Sequence, residues 1–118
     1  MPRLMSYKRP LPGGGAAERM HIMNERDKLL VLLPSDEADA LSMSELAGAM
    51  GIPERGLRSL VERMRRDGLT ICSSDHGYWM PSEDGQRQQD AERTARRLES
   101  RARSALETAR ALREGAAG

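Results

Sequence analysis

The sequence has no phenylalanine, and its aromatic residues are one Trp and two Tyr. Its core must therefore be aliphatic, built from Leu, Met, Ile, Val and Ala. Such a core suits a small, mainly helical domain in a chain of 118 residues. A single cysteine, Cys72, excludes an internal disulfide and fits a reducing compartment. With that one thiol and only His21 and His76, no metal site is expected. Lysine occurs only at Lys8 and Lys28, so positive charge is carried almost wholly by arginine, the better residue for forked contacts to phosphate or guanine. A GC-rich genome would produce the same bias. No apolar run approaches the roughly 18 residues of a membrane span, and the basic N-terminus lacks the apolar stretch of a secretory signal.

What is present is unevenly distributed. Residues 1–23 carry Arg3, Lys8, Arg9 and Arg19 against Glu18. Residues 24–52 are net acidic, with Glu25, Asp27, Asp36, Glu37, Asp39 and Glu45 against Arg26 and Lys28. Residues 53–68 turn basic again, with Arg55, Arg58, Arg63, Arg65 and Arg66 against Glu54, Glu62 and Asp67. A local field of this kind says more about partners than the net charge of +1.

Residues 1–19 hold Pro2, Pro10, Pro12 and the triplet Gly13-Gly14-Gly15, which reads as a flexible basic arm. A helical period begins at Met20 and stops at Pro34. Ser42-Met43-Ser44-Glu45 is a capping box that starts a helix over 43–50, which Gly51 ends. Pro53 opens a third helix at a first-turn position. That helix runs to about Asp67, with Leu57, Leu60, Val61 and Met64 at helical spacing. Leu69–Ser73 and Tyr78–Met80 flank the turn Ser74-Asp75-His76-Gly77 and read as a β-hairpin. One of Tyr78 and Trp79 is expected on the core and the other at the surface. A long polar helix follows over about 84–113, and residues 115–118 are expected to fray. Ala91, Ala95, Leu98, Ala102, Ala105, Ala109 and Leu112 recur at heptad spacing along it.

The run from Leu41 to Pro81 resembles a winged helix-turn-helix domain of the type at the N-terminus of the biotin-operon repressor, which small bacterial and prophage DNA-binding proteins share. The matching residues are Glu45-Leu46-Ala47, Gly51-Ile52-Pro53, Leu57, Val61, Met64, Gly68, Ile71 and Gly77-Tyr78-Trp79. The resemblance implies a mainly α fold with a small β-hairpin: a winged helix-turn-helix over residues 20–81, with the long heptad-patterned helix (residues 82–114) appended. It implies sequence-specific binding of double-stranded DNA by a small transcriptional regulator or phage-type accessory protein. The implied setting is the cytoplasm of a bacterium or of a phage-infected cell. No ligase or effector domain follows the matching stretch.

Stepping about 100° per residue from Leu57 places Leu60, Val61 and Met64 within about 60° of it, and Arg55, Ser59, Glu62 and Arg66 on the opposite edge. Arg58 and Arg63 flank that edge. Arg55, Ser59 and Glu62 are the candidate base-reading residues, and Arg58, Arg63 and Arg66 the candidate phosphate clamps. A solvated charged face is the plainer alternative. His76 at the hairpin tip is a candidate for groove or backbone contact, and equally an exposed turn residue. Arg3, Lys8 and Arg9 form either a groove-following arm or a plain tail.

A heptad seam on a helix of roughly 45 Å, longer than so small a domain, calls for a partner helix. A homodimer through Ala95, Leu98, Ala102, Ala105, Ala109 and Leu112 is expected. The alternatives are a helix folded back on its own domain or one solvated by pairs such as Glu92–Arg96 and Glu99–Arg103. No catalytic group, phosphate-binding loop or cofactor site is apparent. Two rival functions remain: a protein-interaction module of phage origin that inhibits a host nucleoprotein machine such as a CRISPR effector, or a replication or recombination accessory with little sequence preference.

Overall fold

The computed structural model describes residues 23–118. The N-terminal arm, including Arg3, Lys8 and Arg9, and the start of the expected first helix at Met20 to Ile22 lie outside the described residues.

The first helix among the described residues, α1, spans Glu25–Leu32. Its start corrects the sequence reading, because Met23 and Asn24 precede the helix. Asn24 is the N-cap, and its side chain accepts from the Asp27 N–H at 2.8 Å. Glu25 and Asp27 in the first turn suit the positive end of the helix dipole. The apolar period thus runs through a cap, which periodicity alone does not register. A 3-10 turn, Glu37–Asp39, follows between this helix and the next.

Helix α2, Met43–Met50, opens on the expected capping box. The Ser42 hydroxyl accepts from the Glu45 N–H at 3.0 Å, and the Ser42 N–H donates to Glu45 Oε1 at 2.8 Å. Gly51 ends it at φ 71°, where a side chain would be strained. Helix α3, Glu54–Arg66, has Pro53 as N-cap, one residue outside the expected first-turn position.

Strands β1 (Cys72–Ser74) and β2 (Gly77–Trp79) pair antiparallel, with Cys72 opposite Trp79 and Ser73 opposite Tyr78. The ladder starts later than the β-permissive run suggested. The Leu69 N–H donates to the Met64 carbonyl and the Ile71 N–H to the Leu69 carbonyl, so these residues turn tightly before pairing begins. Leu41 adds a bridge to β2, exchanging two backbone hydrogen bonds with Tyr78.

The last helix, α4, spans Asp84–Ala117, 34 residues or about 51 Å. It continues past Arg113 and through most of the segment expected to fray. Gly115 stays helical, and Ala116 and Ala117 are strong helix formers.

The main core cluster is aliphatic, although Trp79 is the largest fully buried side chain of the described residues. Leu29, Leu46, Leu57 and Met64 are fully buried, each contributing about 1.5–3 kcal/mol by leaving water. Helix α2 packs on both α1 and α3, while α4 packs on β1. Neither ring is at the surface, contrary to the expectation: Trp79 is buried at the junction with α4, and half-buried Tyr78 packs against the core cluster.

Candidate nucleic-acid interface

Helix α3 has two unlike edges. Leu57, Leu60, Val61 and Met64 are buried against the core. Arg55, Arg58, Ser59, Glu62, Arg63 and Arg66 are all exposed on the rest of its circumference. The structure therefore brings these six predicted residues together on one accessible surface. Arg58 pairs with Glu54 at 3.5 Å and Arg66 with Glu62 at 3.6 Å. Such loose, exposed pairs one turn apart hold their arginines weakly. Arg55 and Arg63 make no ion pair among the described residues.

Arg65 behaves differently from its neighbours. Its Nε donates to the Ile71 carbonyl at 2.7 Å and its terminal nitrogen to the Ser73 hydroxyl at 3.1 Å. Its guanidinium stands over the Tyr78 ring, 6.0 Å from the centroid. Burial lowers its pKa, although Arg remains charged at any ordinary pH. Arg65 thus ties α3 to the hairpin and is not part of the outward cationic edge. The signal was present in the helical projection, where position 65 falls about 80° from Leu57, on the flank of the buried stripe.

His76 sits at the hairpin tip with its side chain exposed, and its backbone N–H donates to the Ser74 hydroxyl at 3.1 Å. No hydrogen bond joins it to the α3 residues. The neighbouring Asp75 pairs with Arg97 of α4 at 3.0 Å, with the Asp75 side chain still exposed.

The strongest polar cluster in the described residues lies at that junction, and the sequence reading missed it. Asp90 is buried, and its carboxylate accepts from the Trp79 indole at 2.9 Å, from Gln86 at 2.8 Å and from Arg93 at 3.0 Å. Arg93 also donates to Glu37 at 2.7 Å and stands over the Trp79 ring. One turn along α4, Thr94 is buried and its hydroxyl accepts from the Ser73 N–H at 3.2 Å. Asp90, Thr94 and Arg97 follow helical spacing, so the docking face of α4 is polar. A reading that tracks only apolar residues passes over it.

Burial pushes the Asp90 carboxyl up, but hydrogen bonds from Trp79, Gln86 and Arg93 outweigh it and leave its pKa lowered. Glu37 is lowered too, by hydrogen bonds from Arg93 and Ser74. A carboxylate whose pKa falls on folding stabilises the native state fully above its unfolded value. That contribution is lost as pH falls through the folded value. The junction is therefore expected to hold unchanged from neutral pH down to about 4 and to loosen below that. Trp79, the only tryptophan, reports it: its emission should shift to the red in a step confined to the acid side. An emission flat from neutral into strong acid contradicts the assignment.

The expected dimerisation residues lie on α4 beside this docking face. Ala95, Ala102 and Ala105 are exposed, Ala109 is half-buried by its own helix, and Leu98 and Leu112 are 41% and 70% exposed. Leu106, absent from the heptad reading, is 66% exposed. Among the described residues there is no group of three metal-binding side chains, and no helix is long and apolar enough to cross a membrane. Compared with protein-family models, curated proteins and solved structures, the chain matches none.

Proposed function

We propose that residues 23–81 are a winged helix-turn-helix that binds duplex DNA sequence-specifically, in the manner of a small transcriptional regulator or phage-type accessory protein. Helix α2, the turn at Gly51 and α3 form the helix-turn-helix, and the β1–β2 hairpin is the wing. The observation that carries this reading is the two-edged α3. One edge is locked into the core, while the other presents Arg55, Arg58, Arg63 and Arg66 to solvent with only Glu54 and Glu62 to offset them. A rigidly seated helix with a cationic outer edge suits the major groove.

Arg55 and Ser59, with Glu62 accepting from a cytosine amine, read base edges. Arg58, Arg63 and Arg66 hold phosphates, which position the helix without specifying sequence. The weak pairs Glu54–Arg58 and Glu62–Arg66 open when the arginines turn to DNA. His76 extends the contact from the wing tip.

The test is fluorescence anisotropy of the full chain on random genomic duplex at two salt concentrations, beside an Arg55/Arg58/Arg63→Ala variant. Wild type should bind and weaken steeply with salt. Loss of two phosphate contacts, from Arg58 and Arg63, should lower the slope of log K against log salt by about 2. Since all three side chains are exposed, the variant should unfold like wild type. Wild type that ignores duplex DNA at low salt, or a variant that binds as tightly, rules out α3 as the DNA-reading element.

A further inference from the structure

We propose that α4 pairs with a second copy of this chain, antiparallel, about a two-fold axis beside Leu106. This does not depend on DNA binding. Beyond Arg97, α4 makes no hydrogen bond or ion pair with the rest of the described domain, yet Leu98, Leu106 and Leu112 are 41%, 66% and 70% exposed. Three large apolar side chains along one projecting helix face call for cover.

The spacing selects the occupant and its direction. Ala95, Ala102, Ala109 and Ala116 occupy one seam position of the heptad, and Leu98, Ala105 and Leu112 the other. A seam with Ala at every first position lets two helices approach at the near end of the usual 8–10 Å range. In an antiparallel pair, first positions face second positions across the axis. Leu98 then meets the partner's Ala116, Leu112 meets the partner's Ala102, and Ala105 meets the partner's Ala109. Each large side chain faces a small one.

Charge complementarity fixes the same register. Glu99, Leu106 and Arg113 share the position flanking the seam. In this register Glu99 lies beside the partner's Arg113, twice by symmetry, and the two Leu106 side chains meet at the axis. Neither Glu99 nor Arg113 has an ion-pair partner among the described residues. Parallel pairing sets Leu106 beside the partner's Arg101 and gives Glu99 no cation. The seam also ends in an open groove of about 250 Å³ beside the hairpin, lined by Leu69, Thr70, Ala91, Ala95 and Leu98. The antiparallel register brings the partner's C-terminal end to its mouth.

The full chain should sediment as a dimer at high micromolar concentration. Under oxidised glutathione, Leu106→Cys should form a disulfide-linked dimer. Ala102→Cys should not, because its two copies would be about 15 Å apart along the axis. Cys72 is buried and does not compete. Glu99→Arg should weaken the dimer about tenfold, and Glu99→Arg with Arg113→Glu should restore it. All these sites are exposed, so folding is not at stake. A monomeric wild type, crosslinking at 102 but not at 106, or failure of the double reversal to restore pairing would each overturn the proposal.

Discussion

Gly77→Ala is expected to destabilise the domain by about 3 kcal/mol or more, the largest effect of a methyl group added at any glycine of the described residues. Two causes act together at this position. Gly77 has φ 125°, a conformation that L side chains rarely adopt. A Cβ there would also strike the carbonyl of Leu41. That carbonyl cannot retreat freely, because it accepts from the Tyr78 N–H at 2.8 Å while the Leu41 N–H donates to the Tyr78 carbonyl. Making room breaks the bridge that fastens the hairpin to the chain entering α2. Urea unfolding followed by Trp79 emission measures the loss. Gly68→Ala is the control: φ is 101° there, but the space around it is open, so only backbone strain of about 1–2 kcal/mol should appear. If Gly77→Ala costs no more than Gly68→Ala, the close approach to Leu41 is not a constraint on the fold.

The second large effect belongs to Asp90. Replacing it with Ala strands the buried Trp79 indole N–H, while the exposed Gln86 amide turns to water and the exposed Arg93 guanidinium keeps Glu37. Leaving that buried donor without a partner costs about 1–3 kcal/mol, above the worth of an exposed pair. The hairpin should loosen from α4, with red-shifted Trp79 emission and earlier urea unfolding. Glu92→Ala, two residues along, breaks the exposed Glu92–Arg96 pair and should change stability by no more than about 0.5 kcal/mol. Equal effects at positions 90 and 92 would remove the special status given to the buried carboxylate.

The elements legible in the sequence are those whose causes are local. The capping box at Ser42 and Glu45, the left-handed glycine at 51 and the buried stripe of α3 each depend on residues within a few positions of one another. The outward edge of α3 follows from that stripe by geometry alone. What stayed hidden depends on contacts made at a distance. Arg65 counts as one more basic residue until the hairpin returns beneath it. Asp90 and Thr94 belong to a polar helix until Trp79 and Ser73 lie against them. Asn24 has the composition of a cap, but the apolar residues on both sides masked it. Leu106 falls one step outside the heptad seam and gains meaning only when the exposed length of α4 is known.

The anchoring of α4 has a mechanical consequence. The helix is fastened over its first four turns to the hairpin and the Glu37 turn, through Asp90, Arg93, Thr94 and Arg97. Some twenty residues, about 30 Å, extend past that clamp without support from the domain. A tilt of the clamp by about 10° displaces the far end of a 30 Å rod by about 5 Å, close to one helical turn. Small changes of angle at the clamp are thereby amplified into sideways displacements at the other end.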